Sequence, residues 1–140
     1  MSDESVAVVR RAVQALQESA RCGELTASLR ELCDPDIHID GSRRVFNPDV
    51  YDGHAGMARL VREMHDAWEE FSHSTERVVD LGDRVLSIQT IAGRGRASGV
   101  DVGARSGLIW TVRDGRVTRV EVFGDADEAI RAAGLSSGPS

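Results

Sequence analysis

Two segments of this chain set charged side chains in strand-like, apolar company, and those charges are the first candidates for chemistry. The dipeptide Asp114-Gly115 separates the alternating runs LIWTVR and RVTRVEVF. An Asp-Gly pair in that setting predicts a two-residue type I′ hairpin, because both central positions need positive φ. The turn sets Arg113 opposite Arg116, Val112 opposite Val117, Trp110 opposite Arg119 and Leu108 opposite Glu121. Alternation then gathers Leu108, Trp110, Val112, Val117 and Phe123 on one face, with Arg119 and Glu121 set among them. A carboxylate and a guanidinium on an apolar face are costly unless paired or used. A carboxylate held there has its pKa raised, which suits it to move a proton next to a carbonyl.

The second segment is DIHID, residues 36–40. Its alternation puts His38 and Asp40 on one face and Ile37 and Ile39 on the other, without saying which face is inside. Asp40 is therefore either a pocket carboxylate with His38 as acid–base partner, or a solvated one. Glu121 has the same two readings, the plainer being an internal salt bridge to Arg119, Arg94 or Arg96. Arg119, opposite Trp110, can lie over the indole.

Other chemistries find little support. No pair among His38, His54, His65 and His73 has a zinc spacing, so no metal is expected. His54 opens a helix beside Tyr51 and Asp52, and His65 is expected on that helix's solvent side. GRGRASG, residues 93–99, lacks the lysine and Ser/Thr of a phosphate loop, and its glycines suit a bent sheet. The loop SRRVFNPDVYDGH could form a lid, though a plain solvated loop is the better expectation. Cys22 and Cys33 have neither metal nor redox spacing and suit reduced thiols of a cytoplasmic protein.

The elements that must position these groups follow from pattern. The chain has 140 residues, 41% hydrophobic, with a net charge of −6, which suits one domain with a real core and argues against nucleic acid. No apolar run approaches a membrane span, and the acidic start lacks a signal-peptide pattern. Helical spacing predicts helices over 4–20, over a short stretch ending at Asp34-Pro35, over 54–71 and over 126–133. The stripe of the long one is Met57, Leu60, Val61, Met64, Trp68 and Phe71. Strands are expected at 36–40, 73–81, 84–97, 102–113 and 116–123, with 41–53 as loop. Residues 1–135 make a single domain and 136–140 a loose tail. The order is α+β, helices on one face of a curved, mostly antiparallel sheet.

That order, with LCDPDIHID, VYDGHAGM, GDRVL and WTVRDGRVTRVEVFGDADEA, resembles the SnoaL-like branch of the nuclear transport factor 2-like superfamily, which includes polyketide cyclases and relatives of ketosteroid isomerase. The resemblance implies a cone: a bent sheet wrapped round the long helix, with an apolar pocket at its open end. It places Asp40 where ketosteroid isomerases hold their proton-shuttling aspartate. It sets Glu121 and Arg94 near an acid and an arginine of limonene-type epoxide hydrolases. The first helix has no tyrosine, however, and Leu108 stands in place of the isomerases' second acid, so steroid isomerase activity is not expected.

The expectation is a cofactor-independent acid–base enzyme, an isomerase, cyclase or hydrolase acting on an apolar metabolite, or else a non-catalytic protein binding such a ligand. Asp40, Glu121, Arg94 and His38 would be the catalytic set, with Asp40 pointing into the pocket near Glu121. Trp110, Phe123, Leu108, Trp68, Met64, Tyr51 and Arg119 would line that pocket. The opposite face would carry Ile109, Val120 and Val122, bare of helices and open to a second copy in a homodimer.

Overall fold

The computed structural model describes residues 2–44 and 48–135. The expected tail at 136–140 and the centre of the loop after Arg44 lie outside the described residues. The protein is α+β; its described residues form four helices and a six-stranded, unclosed curved sheet. Helices α1 (Ser2–Cys22) and α2 (Ala27–Leu32) lead into β1 (Cys33–Arg43), β2 (Asp49–Asp52) and α3 (Gly53–Ala67). The rest is β3 (Trp68–Asp80), β4 (Arg84–Gly95), β5 (Asp101–Arg113), β6 (Arg116–Phe123) and α4 (Ala126–Ala132). The strands lie in the order β2-β1-β6-β5-β4-β3, all antiparallel except the β1–β6 pair. No helix among the described residues is long and apolar enough to cross a membrane.

The inner face of the sheet receives α1 and α3. Val8, Val9, Ala12 and Val13 of α1 and Met57, Leu60 and Val61 of α3 bury against Ile37, Ile39, Val85, Trp110, Val117 and Val120. The long helix ends sooner than its apolar stripe suggests. Trp68 and Phe71 belong to β3, pairing with Gly95 and Gly93, so backbone pairing to β4 prevails over helical spacing in WEEF. Strand pairing also overrides the loop expected at 41–53: β1 runs to Arg43, and β2 pairs with it through Ile39–Tyr51 and Asp40–Val50.

The Asp114-Gly115 turn forms as expected, with φ of 53° and 76° at its two residues. Val112 faces Val117 and Arg113 faces Arg116. The register then slips by one. Thr111 pairs with Arg119, leaving Thr118 as a bulge residue, and Trp110 pairs with Val120 rather than Arg119. Every later side chain of β6 changes face. Val120 and Val122 turn inward, while Arg119 and Glu121 turn outward, the reverse of the hairpin register expected from the turn alone.

The outer face is not bare either. Leu86, Ile88, Ile109 and Phe123 form a second core with Ala126, Ala129 and Ile130 of α4. At the three positions expected to await a partner copy, Ile109 is under α4 and the two valines point the other way. Gly107 permits the close approach of α4, because a Cβ there would overlap that of Ala129. Gly107→Ala should therefore cost about 1–3 kcal/mol through overpacking, read as a lower urea midpoint at unchanged m. Adding Ala129→Gly should restore part of the loss; an unchanged midpoint in Gly107→Ala would mean α4 does not press on β5.

Candidate functional site

Between α1, α3 and the inner face of β3–β6 lies a cavity of about 200 Å³. Its walls are mainly apolar: Leu16, Met64, Trp68, Phe71, Leu108 and Trp110 contribute most of the large side chains. Two inward-facing positions of the wall are small. Gly93 and Ala104 leave room that larger side chains would fill. A Cβ at Gly93 would press on the Trp68 ring, so the glycine also lets that indole lie across the end of β4.

A polar strip crosses this apolar wall. Ser87 and Gln89 on β4 and Ser106 on β5 are all buried, and Ser106 pairs with Gln89 across the strands. His73 on β3 pairs with Ile91, two residues along from Gln89 and on the same side of β4. The Trp110 indole N–H donates to Ser87 Oγ at 2.8 Å, and Gln89 Nε2 donates to the same oxygen at 2.8 Å. A hydroxyl oxygen has two acceptor positions, so Ser87 takes both. The other end of the carboxamide, Gln89 Oε1, is buried without a partner, as is His73 Nδ1. Burial holds the His73 imidazole below its ordinary pKa, with the Arg21 charge adding to the effect, so it is neutral at pH 7.

Among the described residues no aspartate or glutamate lines the cavity, and its titratable wall groups are His73 and Arg44. Arg44 Nη1 donates to Tyr51 Oη at 3.2 Å, and Tyr51 donates to Glu63 Oε1 at 2.5 Å. Tyr51 itself is wholly buried in the core and does not line the cavity, contrary to expectation.

The expected catalytic carboxylates lie together, but on the other face. Asp40 and Glu121 are register partners on β1 and β6, while Ile37 and Ile39 fill the inner side. Asp40 accepts from the Ser42 hydroxyl at 2.6 Å and the Ser42 N–H at 3.0 Å. Those bonds hold its carboxyl below the ordinary carboxylate range, with Arg119 and Arg43 adding to them. A base working near neutral pH needs the opposite shift. Glu121 lies 3.7 Å from Arg119, and His38 Nδ1 donates to Asp52 Oδ1 at 2.6 Å. Arg94 is bound to Asp101 at 3.0 Å beside a separate charged cleft. Arg119 therefore sits outside with the acids rather than in the pocket wall.

Of the expected pocket residues, Trp110, Leu108, Trp68 and Met64 do share one cavity. Phe123 touches its edge while its ring belongs to the α4 core, where the Arg43 guanidinium lies 5.2 Å from its centroid. His65, expected in solvent, is turned inward, its Nδ1 3.2 Å from the Ala20 carbonyl.

Sequence reasoning missed Ser87, Gln89, Ser106 and His73. In LSIQT the polar residues alternate with Leu86 and Ile88, which reads as a strand with one wet face. Because α4 covers the outer side, residues 85–89 are buried on both faces. The available signal was α4 itself, which needs an apolar sheet face to cover.

These features define a mainly apolar cavity in an α+β domain with a curved, unclosed sheet. A family model, the SnoaL-like domain, matches residues 9–120, and the chain belongs to that family. The fold is similar to a putative SnoaL-like polyketide cyclase from a Jannaschia species, with 18% identity and a TM-score of 0.74 over 99% of this chain and 95% of that one. It is similar to a Catenulispora acidiphila protein of ketosteroid isomerase-like fold solved with trimethylamine, with 11% identity and a TM-score of 0.70 over 95% and 96%. A third similar structure is TerC co-crystallised with polyporic acid, with 16% identity and a TM-score of 0.70 over 93% and 97%. No curated protein matches in sequence.

The lowered pKa of His73 ties stability to pH with a definite sign. Below the ordinary value of 6.5, the unfolded chain holds a proton that the folded chain refuses until its own lower pKa is reached. Stability must rise with pH across that window. Between about pH 5 and about pH 7.5, the urea midpoint of the wild type should rise relative to that of His73→Gln. Parallel profiles would show that His73 is not desolvated.

Proposed function

We propose that this chain binds an apolar small molecule in the cavity between its helices and the inner sheet face. The observation that carries the reading is the composition of the wall: apolar side chains crossed by one buried polar strip with two unpartnered polar atoms. Such a wall takes up an apolar body by burial and orients it by a few polar contacts. Trp110, Leu108, Trp68 and Met64 are the proposed apolar contacts. Structures of similar fold that were solved with trimethylamine and with polyporic acid are consistent with ligand uptake.

Binding without turnover is favoured over acid–base catalysis for a chemical reason. Isomerase and cyclase steps through an enolate need a base and donors aimed at the developing oxyanion. The indole N–H of Trp110 and one of the two amide N–H groups of Gln89 are spent on Ser87. Asp40, Glu121, Arg94 and His38 are given no contact with the ligand. A second reading is favoured by one observation: His73, neutral and unpartnered at Nδ1, could accept a proton from a bound substrate.

The test is uptake of a two-ring, environment-sensitive fluorescent probe, 1-aminonaphthalene. Ala104→Phe, which fills the cavity from β5, should weaken binding by about tenfold or more. Asp40→Asn should leave it within about twofold. Loss of binding in Asp40→Asn with retention in Ala104→Phe would move the site to the outer face.

A further inference from the structure

The two unpartnered atoms say something about the ligand as well as the cavity. Gln89 is 2% exposed, and its amide nitrogen is committed to Ser87 Oγ. Ser87 in turn is held by the Trp110 indole, which can only donate. In this arrangement the free end of the carboxamide is its oxygen. A carboxamide oxygen accepts and never donates. A buried acceptor left empty loses its hydration without compensation, so the partner that completes it must bring an O–H or N–H. An ether, a ketone or a bare hydrocarbon cannot do so.

Size narrows the class further. A dry apolar cavity of about 150 Å³ is known to hold benzene. The half-open cavity here is about 200 Å³, between Trp68 and Phe71 at one end and Trp110 at the other. That suits one or two fused rings. His73 stands one residue pair further along the same inner face, diagonal to Gln89, within reach of a second polar atom on the same ring system.

Building on the binding role given above, we propose that the ligand of this cavity is a one- or two-ring apolar molecule carrying a hydroxyl that donates to Gln89 Oε1. Gln89 is then the specificity-determining residue, and His73 meets any second oxygen of the ligand. A hydroxyl donor is selected because its loss strands the buried acceptor, which discriminates more sharply than the gain or loss of apolar area.

Three probes of one frame test this by calorimetry on the whole chain: 2-naphthol, 2-methoxynaphthalene and naphthalene. The wild type should bind 2-naphthol about tenfold or more tightly than either analogue. In Gln89→Met, which keeps length and removes the acceptor, the three affinities should fall within about threefold of one another. Equal wild-type affinities for naphthol and its ether would overturn the inference and leave the binding reading standing, and this comparison does not depend on the variant folding. A preference for naphthol that survives in folded Gln89→Met would also overturn it. Failure of all three probes to bind the wild type would overturn the binding reading, and the inference with it.

Discussion

One bulge residue decides which side chains this sheet shows to its helices. At Thr118 the β5–β6 pair takes in an extra residue, and the Thr118 hydroxyl donates to the Thr111 carbonyl at 3.4 Å. Before it, Val112 and Val117 face the helices; after it, Val120 and Val122 do. An unbroken ladder would have turned Arg119 and Glu121 into the space beneath α1 and α3, where no base or acid of those helices lines the cavity to compensate them. Stranding two ions in that interior is far costlier than one irregular pairing. The same slip sends Phe123 outward to anchor α4, so the bulge supplies both cores at once.

Two covered faces then explain the character of the cavity. Once α4 buries Leu86, Ile88 and Ile109, polar residues on the inner side of β4 cannot reach water through the sheet. Trp110 and Gln89 donate to Ser87 instead, and Gln89 Oε1 is left without a partner. Small residues at 93 and 104 leave space beside that strip. A cavity with an unmet acceptor in its wall is a poor way to build stability and a good way to recognise a ligand.

Much of the architecture was legible in the chain because local signals and tertiary demands agree. The Asp-Gly turn, the four consecutive strands, the helix stripe from Met57 to Met64 and the family words all point one way. The site was less legible, and for identifiable reasons. A turn fixes register only as far as the first bulge, and Val117-Thr118-Arg119 carries no composition that marks one. DIHID gave the right alternation and no means of telling inside from outside. LSIQT alternates as a half-solvated strand does, and the helix that buries its other face lies some forty residues later. Asp40 and Glu121 are register partners, yet the outer face on which they meet is not readable from either strand alone.

The account stands on the inner strip and not on the outer carboxylates as the place where a ligand is met. The most direct measurement is a nitrogen–proton correlation spectrum of the chain titrated with 2-naphthol. The account predicts that the Trp110 indole N–H and the Gln89 side-chain amide signals move with saturation, while the backbone amides of His38 and Asp40 stay in place. Movement at Asp40 and Glu121 with Trp110 and Gln89 unchanged would contradict it.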